Sequence, residues 1–206
     1  MFPAQVSAIL ERLEQAGFAA YAVGGCVRDT LLGRVPQDWD VATSARPEQT
    51  AALFAGRSIP TGLQHGTVTV RQEGLSVEVT TFRADGPYSD HRRPDAVYFS
   101  DSLAEDLCRR DLTVNAMAMD RRGVLTDLHG GREDLRRGLL RCVGEPDRRF
   151  DEDALRIMRT LRFASVLGFT VEERTAAALH RRAPLLGSIA AERLLSEMDR
   201  LLCGRY

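Results

Sequence analysis

The 206-residue sequence contains no lysine: all 28 basic residues are arginine, set against 29 acidic ones for a net charge of −1. That balance excludes the global basic field by which many nucleic-acid binders announce themselves. The all-arginine choice is what a GC-rich codon table produces. Cysteine is sparse and badly spaced for chemistry: Cys26, Cys108, Cys142 and Cys203 never fall at C-x-x-C spacing, and His65, His91, His129 and His180 are as scattered. Zinc sites and disulfide frameworks are thereby excluded, and a reduced, cytoplasmic setting is expected. No stretch approaches the roughly 18 apolar residues of a membrane span, and the N-terminus lacks a basic-then-apolar leader pattern. A soluble protein without a membrane partner is expected. Neither a G-x-G-x-x-G run nor a Walker A run is present, which excludes Rossmann and P-loop readings.

What is there suffices for a folded protein. Apolar residues make up 44% and charged residues 28% of the chain, enough for a sizeable core in one large or two small domains. Val6, Ile9, Leu10 and Leu13 recur at helical spacing up to Gly17. "FAAYAV" reads as a buried strand, "CVRDTLLG" as a helix ending at Gly33, "DWDVAT" as a strand and "RPEQTAALFAG" as a helix. "GTVTVRQ-EG-LSVEVTT" is a hairpin turning at Glu73-Gly74. Residues 83–100 read as a loop, and "SLAE" at Ser102–Glu105 as a capping box opening a short helix. "GVLTDL" and "LLRCV" read as strands around another short helix. From about Pro146 no strand signal remains, and three helices are predicted over 147–168, 171–182 and 190–203. The order is a mixed α/β part followed by an all-helical part.

Two constellations carry chemistry. Asp38 and Asp40 flank Trp39 in a predicted strand, where residues two apart share a face. Two unpaired carboxylates so close are costly. A divalent cation relieves the cost, and Mg²⁺ favours a few carboxylates plus substrate phosphates. Glu78, between Val77 and Val79, is the candidate third acid of a nucleotidyl-transfer site. A solvated surface strand would carry the same two aspartates. Gly24-Gly25 sit between a buried strand and a helix, where backbone N–H groups can approach phosphate, with Arg28 one turn on; a turn that needs glycine for its backbone angles alone is the other reading.

In "FDEDALRIMRTLRF", Asp153 and Arg156 lie three apart on a predicted helix, with Arg159 and Arg162 continuing the spacing. The carboxylate would accept from an exocyclic amino group and the guanidinium would donate to a ring nitrogen. Cytosine and adenine fit that pattern, and uracil and guanine reverse it. An exposed ion pair would show the same residues. "RRDLTVNAM" adds Arg109 and Arg110, suited to phosphate contacts.

Together these segments resemble class II tRNA nucleotidyltransferases, the bacterial CCA-adding enzymes and poly(A) polymerases of the DNA polymerase beta superfamily, from about Phe18 to Leu202. "VGGCVRDTLLGRVPQDWDVAT" looks like the metal motif and "RRDLTVNAM" like the second. "DLHGGREDLRRGLLRCVGEPDRRFDEDALRIMRTLRF" looks like the third and fourth, including Glu-Asp-x-x-Arg.

The resemblance implies an α+β fold: a polymerase-beta-like nucleotidyltransferase head with a mixed sheet over 1–145, then a helical nucleotide-selecting neck over 146–206. It implies Mg²⁺ on Asp38 and Asp40, with Glu78 as the third catalytic acid. Gly24, Gly25, Arg28, Arg109, Arg110, Asp111 and Asn115 would contact nucleotide, and Glu152, Asp153 and Arg156 would read the base with Arg159 and Arg162 assisting. The partners implied are CTP, ATP and the tRNA 3′ end.

"PTGLQHGTVTV" and the length of "FRADGPYSDHRRPDAV" favour CCA addition, with A-only addition and poly(A) synthesis as alternatives. A nucleotide-binding module without tRNA turnover is the alternative from another class. Family members continue into tRNA-gripping helical domains while this sequence stops at Tyr206. Those C-terminal domains are therefore expected to be absent, the nucleotide site complete and the tRNA grip incomplete.

Overall fold

The computed structural model describes residues 2–88 and 94–206, which fall into two compact units. The first comprises Met1–Ala84, Val97–Arg109 and Asn115–Leu128. Helix α1 (Ala4–Gln15) buries Val6, Ile9, Leu10 and Leu13, the stripe read from the sequence, and stops before Gly17, whose φ is +86°. There follow β1 (Ala20–Val23), α2 (Gly25–Leu31), β2 (Trp39–Thr43), α3 (Pro47–Leu53), β3 (Ser58–Gly62), β4 (Thr67–Gln72) and β5 (Leu75–Thr81). The unit continues with β6 (Arg83–Asp85), which runs into the second unit at its last residue, and then β7 (Val97–Phe99), α4 (Leu103–Cys108), β8 (Met117–Met119) and β9 (Leu125–Asp127).

Among the described residues, seven strands form one sheet in the order β3-β4-β5-β2-β1-β8-β9. Its neighbours run antiparallel except β2 and β5, which are parallel, so the sheet is mixed. The β4–β5 hairpin turns at Glu73-Gly74, both with positive φ (46° and 83°), the geometry that matches the twist of the flanking strands. Val23, Ala42, Phe82, Leu107 and Ala118 pack as one apolar cluster of this unit. Ser102 Oγ accepts the N–H of Glu105 at 3.4 Å and caps α4.

The second unit holds Asp85–Ala96, Arg110–Val114 and His129–Tyr206. Its elements are α5 (Gly131–Arg137), β10 (Leu139–Leu140), α6 (Pro146–Glu152), α7 (Leu155–Leu167), β11 (Thr170–Val171), α8 (Glu173–Arg182) and α9 (Ala191–Leu202). Here α7 packs on α9 and α6 on α8. Ala154, Leu155, Met158 and Ile189 form the apolar cluster of this unit.

The structure departs from the expected elements at five places. The helix expected over 147–168 is two helices, broken at Asp153, whose backbone is extended (φ −140°, ψ 104°). Its side chain takes the N–H of Leu155 at 3.1 Å, the local competition that makes aspartate a helix starter rather than an interior residue. Thr170–Val171 is a strand within the part expected to be all helical, paired parallel to β10. The stretch 83–100 is not wholly loop: β6 and β7 form a two-stranded sheet, and residues 89–93 of that stretch lie outside the described residues. Strands β3 and β8 were not expected. No helix among the described residues is long and apolar enough to cross a membrane.

Candidate active site

The expected site residues divide into two groups, one in each unit. In the first unit, Gly24 ends β1 with φ 77° and ψ −132°, a conformation that demands glycine. It starts α2, and Arg28 N–H returns to its carbonyl at 3.1 Å. Arg28 is only 8% exposed. Its Nε and Nη2 donate to Asp29 Oδ1 (2.9 and 2.8 Å) and its Nη1 to Asn115 Oδ1 (2.7 Å). The expected residues Arg28 and Asn115, 87 positions apart, thus meet. Asp29, which was not expected at the site, is the third member.

Strand β2 begins at Trp39, so Asp38 lies exposed in the bend that enters it and Asp40 is the strand's second residue. Asp40 pairs in register with Glu78 on β5, and Trp39, Val41, Val77 and Val79 alternate into the core. The exposed Glu78 therefore stands opposite Asp40 on the neighbouring strand. Among the described residues no three His, Cys, Asp or Glu side chains already form a group that could hold a metal ion. The donor set here is a carboxylate pair with a third acid on the next strand. It fits a hard cation that completes its shell with water and substrate phosphates, not one that needs an all-protein cage.

Behind Asp40, Cys26 is buried and donates to the carbonyls of Val23 (3.2 Å) and Asp40 (3.8 Å). Burial pushes its thiol up to about 11, so it is no nucleophile. Arg109, at the end of α4, is held by the buried Asp106 through Nε (3.0 Å) and Nη2 (2.7 Å), a partner three residues earlier on the same helix.

In the second unit, Asp111 is buried with both oxygens engaged. Oδ1 accepts the Leu112 N–H at 2.8 Å, and Oδ2 accepts Arg159 Nε and Nη2 at 2.8 and 2.7 Å. Burial alone would raise the Asp111 carboxyl, but the Arg159 guanidinium outweighs it and holds the group far below the usual carboxylate range. A carboxyl depressed on folding adds stability that is complete above its unfolded value near pH 4 and drains away as pH falls below it. Asp111→Asn is therefore expected to lower stability at pH 7 and to flatten its loss between about pH 5 and pH 2. Denaturant melts across that range check this, and parallel curves for the two proteins would refute it.

Asp153 and Arg156 do not share one continuous helix: Asp153 is the extended residue before α7, and the Arg156 N–H donates to its carbonyl at 3.0 Å. Asp153 caps α7, with Arg193 Nη2 3.5 Å from its Oδ2. Arg156, 9% exposed, donates through Nη1 to Glu152 Oε2 (2.8 Å) and to the Arg149 carbonyl (3.2 Å). Glu152 also holds Arg149 (2.5 Å) and Arg148 (3.1 Å), so one carboxylate gathers three guanidiniums. Arg162 pairs with the buried Glu197 at 2.5 Å and lies over the Phe163 ring at 4.1 Å. Nothing in the sequence spacing pointed to Glu197, 35 residues on. Arg110 belongs to this unit, not to that of its neighbour Arg109.

Residues 20–141 match the family described as the poly A polymerase head domain, and residues 168–206 match the probable RNA and SrmB- binding site of polymerase A. The chain is 52% identical over 202 residues to the CCA-adding enzyme of Geobacillus kaustophilus (strain HTA426), covering 98% of this chain and 50% of that protein. It is 52% identical over 201 residues to the CCA-adding enzyme of Lactobacillus delbrueckii subsp. bulgaricus, with 98% and 50% covered. Among solved structures, the Bacillus stearothermophilus CCA-adding enzyme in complex with CTP superposes with a TM-score of 0.92 at 48% identity, over 100% of this chain and 50% of that one. The chain thus spans about half the length of the curated relatives it matches.

Proposed function

The chain belongs to the class II tRNA nucleotidyltransferase family, whose poly(A) polymerase head domain it contains, and on that premise we propose that it adds C and A to the 3′ end of tRNA from CTP and ATP, releasing pyrophosphate. One observation carries the reading: a buried arginine at a glycine turn and a paired row of carboxylates occur in the same unit. The first suits a triphosphate and the second the cations that travel with it. The relatives' names favour CCA addition over poly(A) synthesis.

The terminal ribose hydroxyl of the tRNA attacks the α-phosphorus of the nucleotide. A new P–O bond forms, the α–β bridging bond breaks, and pyrophosphate departs. Asp38 and Asp40, with Glu78 beside Asp40, would hold a divalent metal, which we take to be Mg²⁺ and which would supply activation of the hydroxyl and neutralisation of the leaving group. Gly24 and Gly25 keep side chains away from the phosphates, and Arg28 and Arg109 bind them. In the second unit Asp153 and Arg156 read the base edge. Glu152 and the Arg149 carbonyl hold the Arg156 guanidinium, while Asp111 anchors Arg159. Arg110 and Arg162 add positive charge. The enzyme works in the cytoplasm, where its tRNA substrate is.

The test is to incubate the chain with CTP, ATP and a tRNA lacking its 3′ end, then to sequence the ends. Complete CCA with both nucleotides, and C additions alone with CTP, are expected. Runs of A would make it a poly(A) polymerase. Nucleotide binding without any extension would make it a binding module.

A further inference from the structure

We infer that Asn115 and Asp29 are positioning residues that hold Arg28 as a charged anchor for the nucleotide's triphosphate, and that residue 115 is an amide so that this anchor keeps its charge. The inference rests on the nucleotidyltransferase reading and names how its phosphate subsite is built.

The Arg28 guanidinium is buried and gripped from two sides. Asp29 Oδ1 takes Nε and Nη2, and Asn115 Oδ1 takes Nη1 at 2.7 Å. Asp29 already brings one full negative charge to a single guanidinium. Asn115 fixes the other end of the fork with a neutral acceptor, and it is itself only 6% exposed. If the tie were only structural, aspartate would serve as well at 115, because it offers the same acceptor and adds a full opposite charge to the guanidinium. An amide there makes sense when the guanidinium must still attract an incoming anion in a unit that also carries Asp38, Asp40 and Glu78.

Gly25 points the same way. Unlike Gly24, it does not have a positive φ. A Cβ built on it would meet Arg28 Nη2 at 3.6 Å, an ordinary contact. Neither backbone nor crowding therefore demands glycine at 25. What glycine leaves open there is the space beside Nη2, where any longer side chain would lie over the guanidinium and cover it from an oxyanion.

The experiment compares wild type with Asn115→Asp, which keeps size and acceptor and adds only charge. Binding of CTP and of CMP to the 206-residue chain is measured by calorimetry in EDTA, with Tm alongside. Asn115→Asp should hold or raise Tm yet weaken CTP by about tenfold or more, with a smaller loss for CMP. Asn115→Leu should also weaken CTP more than CMP, whatever its Tm. A charge variant that binds CTP as tightly as wild type, with Tm raised, overturns the inference and leaves the parent reading standing. A wild-type chain that does not distinguish CTP from CMP fails the triphosphate site of the parent reading itself.

Discussion

Asp40→Asn is expected to leave the fold intact and to cut nucleotidyl transfer by about a hundred- to a thousandfold. Asp40 stands opposite Glu78 in the β2–β5 register and two residues from Asp38. A cation held by these carboxylates couples the stability of the fold to Mg²⁺. A ligand that binds only the folded state stabilises it in proportion to RT ln(1 + [L]/Kd), so wild-type Tm should climb with Mg²⁺ while the variant's should not. Asp38→Asn should behave alike. A variant that keeps wild-type turnover, or a variant Tm that follows Mg²⁺ as wild type does, would refute the assignment of the cation to this strand.

The same strand shows what could be read from the sequence. Trp39, Val41, Val77 and Val79 alternate with polar residues, and that period of two placed β2 and β5, although Asp38, expected on the strand with Asp40, lies in the bend before it. The hairpin was legible because Glu73-Gly74 is a turn dipeptide between two alternating runs. Strand β8 was not, because all three of its residues are buried and a short apolar run has no period to read. Strand β3 carries Pro60, which argues against a strand unless it lies at a sheet edge, and an edge is where it lies. The break at Asp153 left no trace either, since apolar spacing resumes one residue later and only the capping hydrogen bond marks the interruption. For the arginines, sequence pointed to the cations and not to what holds them. Asp29 and Asp106 lie within three residues of Arg28 and Arg109 and could have been suspected. Asn115 with Arg28, and Glu197 with Arg162, meet only through the fold.

The break at Asp153 also changes how the base selector must be tested. Asp153→Ala would remove the cap of α7 together with any acceptor for a base, and a lost cap alone costs about 0.5–2 kcal/mol. Arg156 is the cleaner probe. Its removal does not strand Glu152, which keeps Arg149 at 2.5 Å and Arg148 at 3.1 Å. If Arg156 donates to N3 of cytosine or N1 of adenine, Arg156→Ala leaves that edge unread. A buried polar mismatch is worth about 1–3 kcal/mol, so the preference for CTP and ATP over UTP and GTP should shrink by about 5- to 150-fold. Arg156→Lys keeps the charge but loses the planar fork, and should recover rate better than it recovers selectivity. Arg148→Ala is the control: it touches the same carboxylate from the outside, with its side chain 76% exposed, and should change neither. The measurement is incorporation from all four nucleotides in competition. If Arg156→Ala keeps the wild-type ranking, Arg156 is an internal strut of the second unit and the choice of base is made by other residues.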